Sequence, residues 1–165
     1  MRLDSGVRSR IQQAKLMRKI IVPDNLDEWN EFGKDYLPGH LGIEILLVEH
    51  DELHARMEIL QNTCAPNGFL HAASVVGLAD TACGYATINS LPDGATGFTT
   101  VELKTNFLGT FLEGHLHCIA KRKHRGRTTQ VWDAEVSAGK AGKVIALFRC
   151  TQMILYPKPE SHRSK

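Results

Sequence analysis

The run His71-Ala-Ala-Ser-Val-Val-Gly-Leu-Ala-Asp80-Thr-Ala-Cys-Gly-Tyr-Ala-Thr-Ile88 constrains the fold more than any other stretch of the chain. It is of helix length, apolar on nearly every side, and carries one formal charge, Asp80. A helix apolar all round must be buried, and a carboxylate is almost never buried without a partner or a chemical task. Burial disfavours the ionised form and raises the carboxyl pKa, which suits a general base or a nucleophile. The run predicts one central helix over 72–88 bearing a candidate catalytic carboxylate.

The rest of the pattern says what surrounds that helix. Val7, Ile11, Ala14, Leu16, Met17, Ile20 and Ile21 fall at a loose helical spacing ended by Pro23. Asp24 or Asn25 is placed to cap a second helix through Tyr36, closed by Leu37-Pro38-Gly39-His40. Residues 43–60 read as two strands broken near His50-Asp51. After Pro92-Asp93-Gly94 come four strand-like runs, 97–108, 114–124, 128–138 and 143–155, with no further helix. Alternation is clearest in Thr99, Val101, Leu103, Thr105 and Phe107, and Trp132, Ala134 and Val136 mark another inward face. This order predicts an α+β fold, an antiparallel sheet wrapped around one long buried helix with extra N-terminal helices. A chain of 165 residues allows one such domain. We expect a helical extension over 1–36, the main domain over 37–156 and a disordered tail over 157–165.

Composition narrows the function classes. A net charge of +2 is too small to imply a nucleic-acid or membrane partner, and no apolar run approaches membrane-spanning length. Cys64, Cys83, Cys118 and Cys150 are scattered without CxxC spacing; Cys83 lies in the apolar helix and Cys118 and Cys150 in strand-like runs, which reads as buried thiols in a reducing, cytoplasmic setting. The Arg-containing start also admits a mitochondrial presequence. His115 and His117 share a strand face but lack a third ligand, so no metal is expected. Phosphate-loop, dinucleotide and serine-elbow motifs are missing.

On a helix over 72–88, Ala73, Gly77, Asp80 and Gly84 fall at i, i+4, i+7 and i+11, on one face. Each interior glycine costs about 1 kcal/mol relative to alanine. Two readings are compatible: close approach of another element, or a groove through which a substrate reaches the carboxylate. At the helix start, near His71 and Ala72, the first N–H groups lack intrahelical partners and carry the positive end of the dipole. They can hold the oxyanion of a carbonyl turning tetrahedral. An aspartate two turns down can act on such a carbonyl through water or directly.

Gly68-Phe-Leu-His71-Ala-Ala-Ser-Val-Val-Gly-Leu-Ala-Asp80-Thr-Ala resembles the G-x-x-H-G-G-x(6)-D/E-x-x signature of hotdog-fold acyl-CoA thioesterases. These form the 4-hydroxybenzoyl-CoA thioesterase superfamily, and the phenylacetic-acid-degradation (PaaI-like) type is the nearest branch. The later TTVELKTNFLGTFLEG, the R-G-R turn and GKVIALFRCTQMIL are similar to that family's strands in order and spacing, so the resemblance covers roughly residues 37–156. It implies a hotdog fold and hydrolysis of an acyl-CoA thioester to free acid and coenzyme A. No metal or redox cofactor is implied, coenzyme A being part of the substrate. By position, Asp80 becomes the catalytic carboxylate and the Ala72 N–H the oxyanion donor. His71 shapes the pocket beside the thioester, and Thr100, facing the site from a partner subunit, orients the attacking water. Subunits that join their sheets imply a homodimer or homotetramer with the active site at the interface.

The sequence departs from that pattern in two places. The family's H-G-G is His71-Ala72-Ala73 here, and the usual Asn or Gln six residues before the histidine is Ala65. Asn67 is the candidate replacement amide, or else a turn-forming residue before Gly68. The missing amide also admits a non-catalytic acyl-CoA-binding hotdog protein. The G-D-x-N-P-x-H-like motif expected of a hotdog hydratase does not occur. The basic run 121–127 is a solvated hairpin end or, on the resemblance, a contact for coenzyme A phosphates, with nucleic-acid binding the most distant reading. Arg125, Gly126 and Arg127 would then approach with guanidinium and backbone N–H together.

Overall fold

The computed structural model describes residues 21–140 and 142–157; the helix expected over 7–21 falls almost wholly outside them, as does the tail from 158. Helix α1 (Leu26–Phe32) starts at Asn25, whose Oδ1 accepts from the Glu28 N–H at 3.0 Å, with Asp27 and Glu28 in its first turn. It ends at Phe32 rather than running to Tyr36. Gly33 leaves helical geometry at φ −105, and a Cβ there would stand 2.1 Å from the Tyr85 hydroxyl. Leu37-Pro38-Gly39-His40, expected to close that helix, is itself one helical turn, α2 (Leu37–His40), with proline near its start.

The strands follow the sequence pattern closely. A hairpin of β1 (Ile43–Val48) and β2 (Glu52–Glu58) leads through a 3-10 turn (Gln61–Thr63) to the central helix α3 (Ala72–Asn89). Then come β3 (Gly97–Phe107), β4 (His115–Arg125), β5 (Thr129–Ala138) and β6 (Val144–Leu155). The six form one sheet in the order β1-β2-β4-β5-β6-β3, every neighbouring pair antiparallel. Alternate residues of each inner strand turn toward α3: Leu53, Ala55 and Met57 on β2, Leu116, Cys118 and Ala120 on β4, Trp132, Ala134 and Val136 on β5. The helix meets them with Leu78, Ala79, Ala82, Cys83 and Ala86, and the small side chains let it lie close to the sheet. This is the expected hotdog architecture, and α1 is its outer layer. Trp29 and Phe32 pack on Tyr85 of α3 with ring centroids 5.4 Å away in both cases. No helix among the described residues is long and apolar enough to cross a membrane.

The two sheet edges differ. At β1, Asn30 of α1 mimics a neighbouring strand: its Oδ1 accepts from the Ile45 N–H at 2.8 Å and its Nδ2 donates to the Ile45 carbonyl at 3.2 Å. β3 ends the other side with no further strand among the described residues against it. A bulge at Val101, between Thr100↔Gln152 and Glu102↔Thr151, also changes the phase expected for this strand. Phe98 and Thr100 before the bulge share the inner face with Leu103, Thr105 and Phe107 after it, whereas Thr99 does not. The cross-strand partners of those last three are the core residues Cys150, Phe148 and Ala146. Leu103 and Phe107 nonetheless remain 43% and 49% exposed, so a strip of apolar inner face lies beyond the reach of α3.

Candidate active site

The loop before α3 is tied down by main-chain bonds that aim the helix start. The Thr63 carbonyl accepts from the His71 N–H at 3.1 Å and from Ser74 Oγ at 2.8 Å. Cys64 and Leu70 form a bridge that closes the loop between them, where Gly68 takes φ +83, a backbone state glycine reaches without strain. His71 is the N-cap of α3: its Nδ1 accepts from the Ala73 N–H at 3.0 Å, which leaves the proton of the neutral ring on Nε2. The Ser74 N–H donates to the His71 carbonyl at 3.0 Å. Of the first three N–H groups of α3, then, only that of Ala72 has no hydrogen-bond partner among the described residues, and Ala72 is exposed. It is available to an oxyanion.

Asp80 lies two turns further on, half-buried, with Oδ1 sealed from solvent and without a hydrogen-bond partner. Desolvation with no compensating donor holds its carboxyl above the usual carboxylate range. The glycines flanking it on the same face are places of close approach. A Cβ at Gly77 would come within 2.7 Å of Leu41 Cδ1, and one at Gly84 within 3.3 Å of Phe98 Cζ. Leu41 and Phe98 therefore fill the space over both glycines, and the open groove that the stripe also allowed is not seen there. The neighbouring Cys83 thiol is fully buried beside Cys150 and pushed far up by that burial, so it is no nucleophile.

The other expected site residues are spread over three places. Thr100 is on the inner face of β3, and its hydroxyl donates to Gln152 Oε1 at 2.9 Å. Asn67 is exposed and its Oδ1 accepts from the Phe69 N–H at 3.2 Å, which makes it the turn-former of the loop. Ala65 is held in the same loop by its N–H, which donates to the Phe69 carbonyl at 2.7 Å. Arg125, Gly126 and Arg127 sit at the β4–β5 hairpin and, with Pro92, Asp93 and Tyr156, line an open depression of about 550 Å³. Arg125 Nη1 lies 3.1 Å from His50 Nε2, and the Arg127 guanidinium lies over the Tyr156 ring. The Gly126 N–H is spent on the Thr129 carbonyl at 2.8 Å, so the guanidinium groups are what this turn can offer an anion.

Three buried side-chain atoms among the described residues have no partner: Asp80 Oδ1, Thr105 Oγ1 and Arg122 Nη1. Thr105 and Arg122 escaped sequence reasoning because threonine is an ordinary strand residue and Arg122 sat inside a basic run. Arg122 in fact turns inward, paired with Asp51 and stacked 5.4 Å from the Trp132 ring centroid. Gln152 was also missed, although the phase Phe148, Cys150, Gln152, Ile154 marks it as an inward-facing polar residue.

The sequence profile of the Thioesterase superfamily matches residues 67–145, from the loop before α3 to the start of β6. A 1,4-dihydroxy-2-naphthoyl-CoA hydrolase of Listeria monocytogenes is 29% identical over 111 residues, 67% of this chain and 89% of that protein. Among solved structures, thioesterase HI1161 of Haemophilus influenzae superposes with a TM-score of 0.77 at 26% identity, over 85% of this chain and 96% of that one. A thioesterase family protein of Silicibacter pomeroyi gives a TM-score of 0.69 at 30% identity, over 78% and 96%.

Proposed function

Because the chain belongs to the thioesterase superfamily, we propose that it hydrolyses an acyl-CoA thioester to a carboxylic acid and free coenzyme A, with Asp80 as its catalytic carboxylate. The observation that carries this reading is the unpartnered, desolvated Oδ1 of Asp80 on the helix whose first N–H is free. A carboxylate with no donor of its own is ready to take a proton from water, and the Ala72 N–H is ready to receive the oxyanion.

The two groups belong to different subunits of one site. Ala72 and Asp80 are eight residues apart, about 12 Å along a single helix. A reacting atom must come within about 3–3.5 Å of the carbonyl carbon, so direct attack by Asp80 on a thioester held at the Ala72 of its own helix is out of reach, whereas the Ala72 of a second subunit is not bound by that spacing. The bare edge of β3, an eleven-residue strand paired on its other side with β6, offers a second copy its outward-facing backbone groups and the exposed side chains of Val101, Leu103 and Phe107. Pairing there joins two sheets into one and sets the Ala72 of one subunit toward the Asp80 of the other. The minimal active unit is thus a homodimer, with Arg125 and Arg127 placed to receive the phosphates of coenzyme A.

Thiol release from hexanoyl-CoA, palmitoyl-CoA and benzoyl-CoA by the wild type and by Asp80→Asn tests the reading. Turnover by the wild type and its loss in a folded Asp80→Asn support it and rank the acyl groups. Tight binding of all three without turnover would instead make this a non-catalytic acyl-CoA-binding protein, with Ala65 in place of an amide as the reason.

A further inference from the structure

We propose that Gln152 is a positioning residue of this site, one that accepts the Thr100 hydroxyl hydrogen bond so that the lone pairs of Thr100 face the attacking water. The inference rests on the thioesterase reading above.

Gln152 is 0% exposed and stands on the inner face of β6 among Phe148, Cys150 and Ile154. An amide in such surroundings is costly unless its groups are bonded. Its Oε1 accepts from Thr100, and its Nε2 has only Cys150 Sγ at 3.3 Å, a weak acceptor. The one strong bond of this buried amide therefore goes to Thr100. Gln130, its cross-strand neighbour, shows what a purely structural glutamine looks like here. Its Oε1 accepts from Trp132 Nε1 at 3.0 Å and its Nε2 donates to the Ser90 carbonyl at 3.1 Å, so it ties β5 to the end of α3.

The backbone converges on the same residue. The β3 bulge falls immediately after Thr100, and bulges re-aim the side chains beside them. A threonine hydroxyl has one proton to give and two lone pairs. With the proton committed to Gln152, Thr100 can only accept from a ligand. A water that gives one proton to Asp80 and points the other at Thr100 has a lone pair left for the acyl carbon. Its oxygen bonds to that carbon and Asp80 takes one proton. The C–S bond then breaks with its electron pair on sulfur, and the sulfur recovers the proton from Asp80 as the free thiol.

The test measures kcat and KM for hexanoyl-CoA and benzoyl-CoA in the wild type, Gln152→Leu, Thr100→Val, the double variant and Asp80→Asn, with thermal unfolding alongside. Gln152→Leu is expected to lower kcat about ten- to a hundred-fold with KM within about two-fold and an unchanged or raised Tm. The double variant is expected to be no slower than Thr100→Val alone. Should Gln152→Leu fail to fold, Gln152→Met takes its place in the same comparison. Unchanged kcat in the glutamine variant, or losses that multiply in the double variant, would overturn the inference while an inactive Asp80→Asn leaves the thioesterase reading standing. A wild type that releases no thiol from either substrate would overturn both.

Discussion

Replacing Ala72 with proline removes one hydrogen-bond donor and almost nothing else. Ala72 is the first residue of α3, the position where proline is best tolerated because the N–H it lacks has no intrahelical partner. His71 before it has φ −74 and ψ 132, within the extended region that a residue preceding proline prefers. The His71 cap on Ala73 is untouched by the change. Stability is therefore expected to stay within about 0.5 kcal/mol of the wild type, a Tm change of roughly 2 °C at most for a chain of this size. Activity is expected to behave otherwise. Loss of one oxyanion donor costs about 100- to 1,000-fold in kcat, or about 2.7–4 kcal/mol of transition-state stabilisation. Because that donor acts on charge that develops in the transition state, KM should hardly move. Steady-state thiol release measures both, and Ala72→Gly, which keeps the N–H, should retain most of the rate. A folded Ala72→Pro with wild-type kcat would refute the reasoning and remove the helix start from the chemistry.

Asp80→Asn should raise stability while abolishing activity. The folded-state pKa of Asp80 is raised by burial, so the wild type holds its full stability below the ordinary aspartate pKa and loses some as pH rises toward and through the raised value. The variant should therefore melt higher at pH 8, with an advantage that shrinks as pH falls through the raised value toward that of an ordinary aspartate; a variant less stable at pH 8 would mean the carboxylate has a partner. For the same reason kcat/KM of the wild type should rise with pH through a midpoint above that of an ordinary aspartate. Trp29→Ala, which empties a site 3% exposed between Phe32 and Tyr85, should cost about 3–5 kcal/mol in urea unfolding; a cost under 1 kcal/mol would show that α1 is not anchored through it. Joint replacement of Arg125 and Arg127 by alanine should raise KM for acyl-CoA but not for the matching N-acetylcysteamine thioester, and an equal rise for both would take the guanidinium groups out of phosphate recognition.

The strands were legible because their signals are local. Period-two alternation and glycine-rich breaks placed β3 to β6 within one residue of their ends, and the buried helix announced itself by having a single charge. What escaped the sequence depended on contacts across the fold. The helix expected to run to Tyr36 stops at Phe32, where Gly33 leaves helical geometry, and only the fold shows that the Tyr85 hydroxyl fills the space a side chain at 33 would need. The phase of β3 turned on a bulge opposite β6, which no pattern along β3 alone reveals. The places of Ala72 at the start of α3 and of Asp80 two turns along it could be read from the sequence, because an N-terminus and a lone carboxylate are properties of one element. The glycines at 77 and 84 could be read as close approach or as a groove, and Leu41 and Phe98, which reach them from elsewhere in the chain, decide for close approach. Gln152 required both the parity of β6 and its register with β3.

Mixing two inactive variants is the most direct test of a thioesterase site shared between subunits. On the proposed reading, Asp80→Asn and Ala72→Pro each spoil every site of their own homodimer. If each site takes its carboxylate from one subunit and its oxyanion donor from the other, a mixed dimer has one site with both lesions and one intact. Unfolding and refolding an equimolar mixture makes about half the dimers mixed, so about a quarter of the wild-type rate should return. A mixture that stays as inactive as its two components would place both groups within a single subunit and contradict the account.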